Sequence, residues 1–407
     1  MHQTSVGIVL LTACVLAAPP ARAAHTVTPP SLSQEWVDKA TKLVPDTDPA
    51  KAAQTLGVGI ADALNKGDSQ AAANFVDTHA LATRIAATMY TDPAQQQTFV
   101  NGFGRWTVPE VFKMYHESLQ QGHGSAKFMR VVMRAGEPRA LVRVYGGTDS
   151  VDYLELLIGQ SSSGEYRVID WYQLVWGRMI SDTLGAGTKL MRDPDQSLLD
   201  RVFGTTTASA DIVAKMRRIG TLEVQGKYSE ALGLMNELPP EFAESLEILR
   251  AREVAAVSSQ NGAEYERALN TIAAKYGDQP SVALLLMPYY LKHRQFDRVS
   301  AGFTIIENRV GTDGVTNTLR EMFSQQAGAF TEAVKYGQKA VAIEPDLPQA
   351  WYFLGTSYVF VKNYPQAVAS FQTVQTRFGA KLTRDQFVGP GWEGFTRSDA
   401  FKQWMPH

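Results

Sequence analysis

The sequence predicts an α+β N-terminal domain, with helices packed on a four-stranded antiparallel meander, followed by an all-α array of repeated helix pairs. Three observations carry this expectation. Trp351-x-x-Leu354-Gly355-x-x-Tyr358 is followed by Ala367-x-x-x-Phe371, and Pro345 stands just ahead. Small or aliphatic residues recur at Ala231, Ala268, Val299, Ala333 and Ala367, at intervals of 37, 31, 34 and 34 positions. After Gly122-His123-Gly124 the pattern changes to short runs rich in Val, Tyr, Trp and Leu, separated by turns.

The chain has 407 residues, 44% of them hydrophobic and 20% charged, which suits an ordinary globular protein of two or three domains. A formal charge of -2 offers no basic field for nucleic acid. Val6–Ala18 forms a short apolar core, and Ala21-Arg22-Ala23 is a small-x-small cleavage site. Residues 1–23 therefore read as an export signal, and the expected location is a bacterial periplasm. Leu11-Thr12-Ala13-Cys14 resembles the lipobox of bacterial lipoproteins, and on that alternative Cys14 would be lipidated. Cys14 is the only cysteine, so a mature chain without it has no disulfide and no thiolate chemistry. No apolar run past the signal approaches the ~20 residues of a spanning helix.

Residues 24–47 read as a linker with a short helix at Leu32–Leu43. Ala50–Leu64, Ser69–Val76 and Ala80–Met89 follow as helices, with Asp77 able to cap the third. Asp92-Pro93 opens another, since proline suits the first helical turn, and a break near Gly102-Phe103-Gly104 precedes a stretch ending at Leu119. Lys127–Arg134, Arg139–Tyr145, Val151–Ile158 and Tyr166–Trp176 read as the four strands. Residues 48–200 form one domain on this reading. Phe75-Val76-Asp77, the helix Phe99–Leu119, Tyr166-Arg167-Val168-Ile169-Asp170, then Gly177 and Ser181 give it a resemblance. It is similar to the nuclear-transport-factor-2-like α+β cone, and to the periplasmic phospholipid-shuttle proteins of the Mla (toluene-tolerance) type. That likeness implies a cavity able to hold a lipid or another apolar small molecule.

Residues 205–380 are helical throughout, and 381–407 are expected to cap the open end. Trp351, Leu354, Gly355, Tyr358, Ala367 and Phe371, with Ala333, Ala340 and Pro345 of the preceding unit, resemble the tetratricopeptide repeat. The family's unit is a helix–turn–helix that cannot bury its apolar face alone, so the resemblance implies a solenoid of five stacked pairs. Trp351, Leu354 and Tyr358 share one helix face and are read as core, with Ala367 small where two helices cross.

The family's concave groove implies a binding face made of Gln349, Tyr352, Thr356, Val359 and Phe360, with Val315, Thr318, Met322 and Gln325 from the unit before. None of these is Lys, Arg or Asn, the residues with which chaperone adaptors clamp a carboxylate. A peptide or helix docked by side-chain packing is the expected occupant, from another envelope protein or a second copy of this chain. No Gly-x-Ser-x-Gly elbow, phosphate loop or dinucleotide fingerprint is present, and no His pair has metal-ligand spacing. The expectation is a non-catalytic protein-binding scaffold without metal or cofactor, and the alternative is a carrier of an apolar molecule in the α+β domain. Asp152, Glu155 and Asp170 are the candidate acid–base carboxylates, and Arg130, Arg134, Arg143 and Arg167 stand on neighbouring strands as ion-pair partners.

Overall fold

The computed structural model describes residues 48–104, 107–122, 124–147, 151–161, 163–192 and 210–406. The expected signal segment, Cys14 and the linker with its short helix lie outside these residues. The chain divides into two compact units between Gly277 and Asp278.

The first unit opens with α1 (Asp48–Lys66), α2 (Ser69–Asn74), α3 (Thr78–Met89), α4 (Pro93–Gly102) and α5 (Thr107–Gln121). Aspartates start three of these helices. The side chains of Asp68, Asp77 and Asp92 accept from the amides of Ala71, Ala80 and Ala94, using N–H groups that have no partner within the helix. Strands β1 (Ser125–Arg134), β2 (Glu137–Tyr145), β3 (Val151–Gln160), β4 (Tyr166–Gln173) and β5 (Arg178–Met179) pair in chain order, each antiparallel to the next.

The expectation of four strands is corrected to five. The chain turns back after β4 because the amide of Gly177, in the left-handed region, donates to the carbonyl of Gln173. Pro138 also lies inside β2 rather than in the turn, where Ala135 and Gly136, both at positive φ, make the two-residue hairpin connection.

Alternation along the strands sends Ala140, Val142, Val144, Leu154, Leu156 and Trp171 into the core formed with α1, α3 and α5. Gly57 lets α1 approach closely, since a Cβ there would lie 2.5 Å from the Phe128 ring. Helix α6 (Ile180–Arg192) follows the sheet.

From residue 210 every described element is a helix or a single 3-10 turn. The first unit continues with α7 (Ala210–Val224), α8 (Tyr228–Asn236), the one-turn α9 (Pro240–Ala243), α10 (Leu246–Ser258) and α11 (Gly262–Tyr276). The second unit holds α12 (Pro280–Lys292), α13 (Phe296–Val310), α14 (Gly314–Gln326), α15 (Phe330–Ile343), α16 (Pro348–Phe360) and α17 (Tyr364–Phe378). It ends with the 3-10 turn Arg384–Phe387, α18 (Glu393–Arg397) and α19 (Asp399–Trp404).

Among the described residues the helices pair as α7 with α8, α10 with α11, α12 with α13, α14 with α15 and α16 with α17. The turns inside these pairs repeat one geometry. Gly226, Gln260, Arg294, Gly328 and Lys362 adopt positive φ, at steps of 34 positions. In every case the next residue's amide (Lys227, Asn261, Gln295, Ala329, Asn363) donates to a carbonyl five positions back. This is the Schellman turn, which satisfies the carbonyls at a helix C-terminus. The small residues recognised in the sequence, Ala231, Ala268, Val299, Ala333 and Ala367, all fall in second helices and are buried. On the 34-residue step, however, it is Tyr265 that matches the others, and Ala268 comes three positions later on the same helix.

Candidate functional site

The nine predicted groove positions lie on α14 and α16, which pack together. Four of them offer little surface. Val315, Thr318, Thr356 and Val359 are buried, which corrects their expected exposure. Helix α14 is packed by α13, α15 and α16, so most of its first two turns is enclosed. The two threonine hydroxyls are satisfied on their own helices, donating to the carbonyls of Gly314 and Tyr352.

The other five keep some surface. Met322 and Gln349 are half-buried. The Gln325 amide crosses to α16, donating to the Phe353 carbonyl at 3.0 Å and to Ser357 Oγ at 2.7 Å. Tyr352 lies edge-on to Phe371, and burial pushes its phenol upward from the ordinary value. Phe360 is 36% exposed and stacks on Phe330 with ring centroids 4.6 Å apart.

The repeat-core residues are enclosed, with two exceptions. Leu354, Tyr358, Ala367, Phe371, Ala333 and Ala340 are buried, and Gly355 is too, because a Cβ there would lie 2.7 Å from the Phe371 ring. Trp351 and Pro345 are partly exposed and joined, with the indole N–H donating to the Pro345 carbonyl at 2.9 Å. Phe371 extends this core into the C-terminal segment, touching Phe387, Phe395 and Trp404.

Sequence reasoning passed over Glu321, which stands between two residues it had weighed. Glu321 is 0% exposed. Ser357 Oγ donates to its Oε1 at 2.6 Å, and Oε2 has no hydrogen-bond partner. The carboxyl presses on Gly337 of α15, where an added Cβ would be 2.4 Å from Oε1. Burial raises its pKa from 4.5 to about 8, against the smaller opposing effect of the Ser357 bond, so it holds a proton at neutral pH. The available signal was spacing. Gly314, Asn317, Thr318 and Glu321 follow the inward stripe of a helix, but none is apolar, so a hydrophobic pattern skips them.

In the first unit the three candidate carboxylates serve separate tasks. Glu155 is gripped by Arg134 at 2.7 Å, with Arg139 at 3.8 Å. Asp170 is buried and accepts from Arg84 Nε at 2.7 Å, Ser181 Oγ at 2.6 Å, and the amides of Ser181 and Trp171. Asp170 and Ser181 thus meet, but the arginine comes from α3 rather than from a neighbouring strand. Asp152 accepts from the amides of Tyr153 and Val175, and burial lifts its pKa to about 6. The interior between α5 and the sheet is filled by Phe112 stacked on Trp171, with Tyr115 Oη accepting from Trp171 Nε1 and Gln173 Nε2. Among the described residues no group of three or more His, Cys, Asp or Glu could hold a metal ion, and no helix is long and apolar enough to cross a membrane.

Comparison with protein families, curated proteins and solved structures gave no match.

Proposed function

We propose that this chain is a non-catalytic protein-binding scaffold of the bacterial cell envelope, whose tetratricopeptide-like helix pairs stack into a solenoid and hold a partner peptide or helix. The observation that carries the reading is the five-fold recurrence of one left-handed turn at 34-residue steps, Gly226 to Lys362. A fixed turn at a fixed period is what stacked helix pairs need, and stacks of this kind expose long faces suited to other chains. Met322, Gln325, Gln349, Tyr352 and Phe360 form the part of the predicted face that keeps some surface.

A pull-down from envelope extract with the full chain is expected to lose its partner on Phe360→Glu, and on Tyr352→Glu at unchanged thermal stability. Undiminished recovery from the Phe360→Glu protein overturns the choice of face. Periplasmic action rests on residues 1–23, and intact mass predicts a mature chain starting at Ala24, whereas a lipid-modified Cys14 overturns simple cleavage. A carrier would need an apolar cavity where Phe112, Tyr115 and Trp171 now pack. Native mass spectrometry is accordingly expected to find no co-purified lipid.

A further inference from the structure

Glu321 sits in a layer that neighbouring helix pairs fill with apolar groups. One 34-residue step later, the positions of Glu321 and Gly337 are taken by Gly355 and Phe371, and the Phe371 ring packs directly on Gly355. One step earlier they are Met287 and Phe303, both buried. A carboxyl therefore occupies space that the two adjoining pairs fill with a ring or a thioether; two steps earlier the same position is Glu253, also buried. Burying it without a cation costs more than burying either of those.

No cation is engaged with it among the described residues. Helix α16 carries no charged side chain. On α15, Lys335 pairs with Glu332, and Lys339 lies over the Tyr336 ring. On α14 itself Arg320 reaches Glu307 of α13 at 2.7 Å. Asp297, Arg298 and Arg309 are the other charged groups of α13, and Asp313 and Glu344 are acids near the start of α14; none bonds to Glu321. What Glu321 does hold is a polar chain across the α14–α16 seam, in which the Gln325 amide donates to Ser357 Oγ and Ser357 donates to Glu321 Oε1.

We infer that Glu321 is a proton-held latch: neutral, it lets α14 close on α15 and α16, and ionised, it drives the seam apart. An ionised carboxylate has one oxygen bonded to Ser357 and the other buried beside Gly337 without a hydrogen-bond partner, with no counter-charge. Opening the seam to water is its cheapest relief. Burial raises the pKa of this carboxyl to about 8, which puts the transition at mildly alkaline pH. The latch depends on the packing of α14, α15 and α16, and would stand even if the face outside it bound no partner.

Hydrogen exchange of the full chain tests this directly. After correction for intrinsic exchange, protection of residues 314–326 and 348–360 is expected to fall at least about tenfold between pH ~6 and pH ~9.5, while helices α12 and α17 change less. In Glu321→Gln and in the apolar Glu321→Met the same segments should stay within about twofold over that range. Equal loss of protection in either folded variant overturns the latch, as does no loss in the wild-type chain.

Discussion

Asp170 gathers four donors on one buried carboxylate, and only one of them, Arg84, brings a charge. Arg84 is 41% exposed at its side chain while Asp170 is fully enclosed, so water shares the arginine but not the acid. Removing the negative charge should therefore cost more than the ion pair alone suggests. Asp170→Asn replaces one accepting oxygen by an N–H₂ that must face other donors, with an expected loss of about 2–4 kcal/mol in urea unfolding. A loss within experimental error would mean that Ser181 and the two amides need no anion. Gly355 makes the matching steric case, because any Cβ there meets the Phe371 ring at less than contact distance. Gly355→Ala should cost roughly 1–3 kcal/mol by overpacking, measured the same way. This glycine was visible in the sequence as part of a repeat pattern. Asp170 was visible only as one of three strand acids, since a sequence does not say that its arginine comes from a helix 86 positions away.

At the scale of elements, the five Schellman turns offer a graded test. Gly226 and Gly328 adopt the left-handed conformation without strain, but Gln260, Arg294 and Lys362 each carry a Cβ into it. That conformation costs a residue with a side chain about 1 kcal/mol or more. Lys362→Gly, at an exposed position in the α16–α17 turn, is expected to raise stability by about 0.5–1 kcal/mol, and Gly328→Ala to lower it by a similar amount. Opposite signs in thermal unfolding would contradict the shared turn geometry. These turns also mark the limit of what could be read beforehand. The helix starts at Ser69 and Pro93, the Asp77 cap and the order of strands were legible because proline, glycine and apolar spacing act locally. The turn residues were not, because Gln, Arg and Lys give no local signal for positive φ, and so Ala268 was counted where Tyr265 holds the regular position. The two-residue β5 and the one-turn α9 are too short to build a period. Only five of the nine predicted face positions keep surface. Periodicity selects a helix side, but it cannot tell that α14 is packed by three neighbours and keeps Val315 and Thr318 inside.

For the whole molecule, buried acids should make stability depend on pH in an unusual direction. Burial lifts Asp152 from 3.8 to about 6, Glu223 from 4.5 to about 7 and Glu321 from 4.5 to about 8. The unfolded chain releases these protons near the ordinary values, whereas the folded chain keeps them to higher pH. Across that interval the unfolded state binds fewer protons, so raising the pH favours unfolding. The contribution is fully present below the ordinary carboxylate range and is lost as pH climbs through about 6, 7 and 8 in turn. Glu264 acts oppositely. Burial works against its ionisation, but Arg267 and Arg252 outweigh this and lower its pKa, so its contribution is lost only as pH falls through the acid range. Glu321 should dominate the alkaline side because its pKa in the folded chain, about 8, is the highest of the three. Asp152 and Glu223 belong to the first compact unit and Glu321 to the second. Exchange-derived opening energies, taken separately for the two units, are thus expected to decline from pH ~5 upward, with the second unit's decline centred at higher pH than the first. A tenfold change in a carboxyl's acidity on folding is worth about 1.4 kcal/mol before screening, so a total loss of a few kcal/mol by pH ~9 is the expected scale. Stability that did not decline from pH ~5 to pH ~9 in either unit would mean that these carboxyls ionise in the folded chain as they do in water.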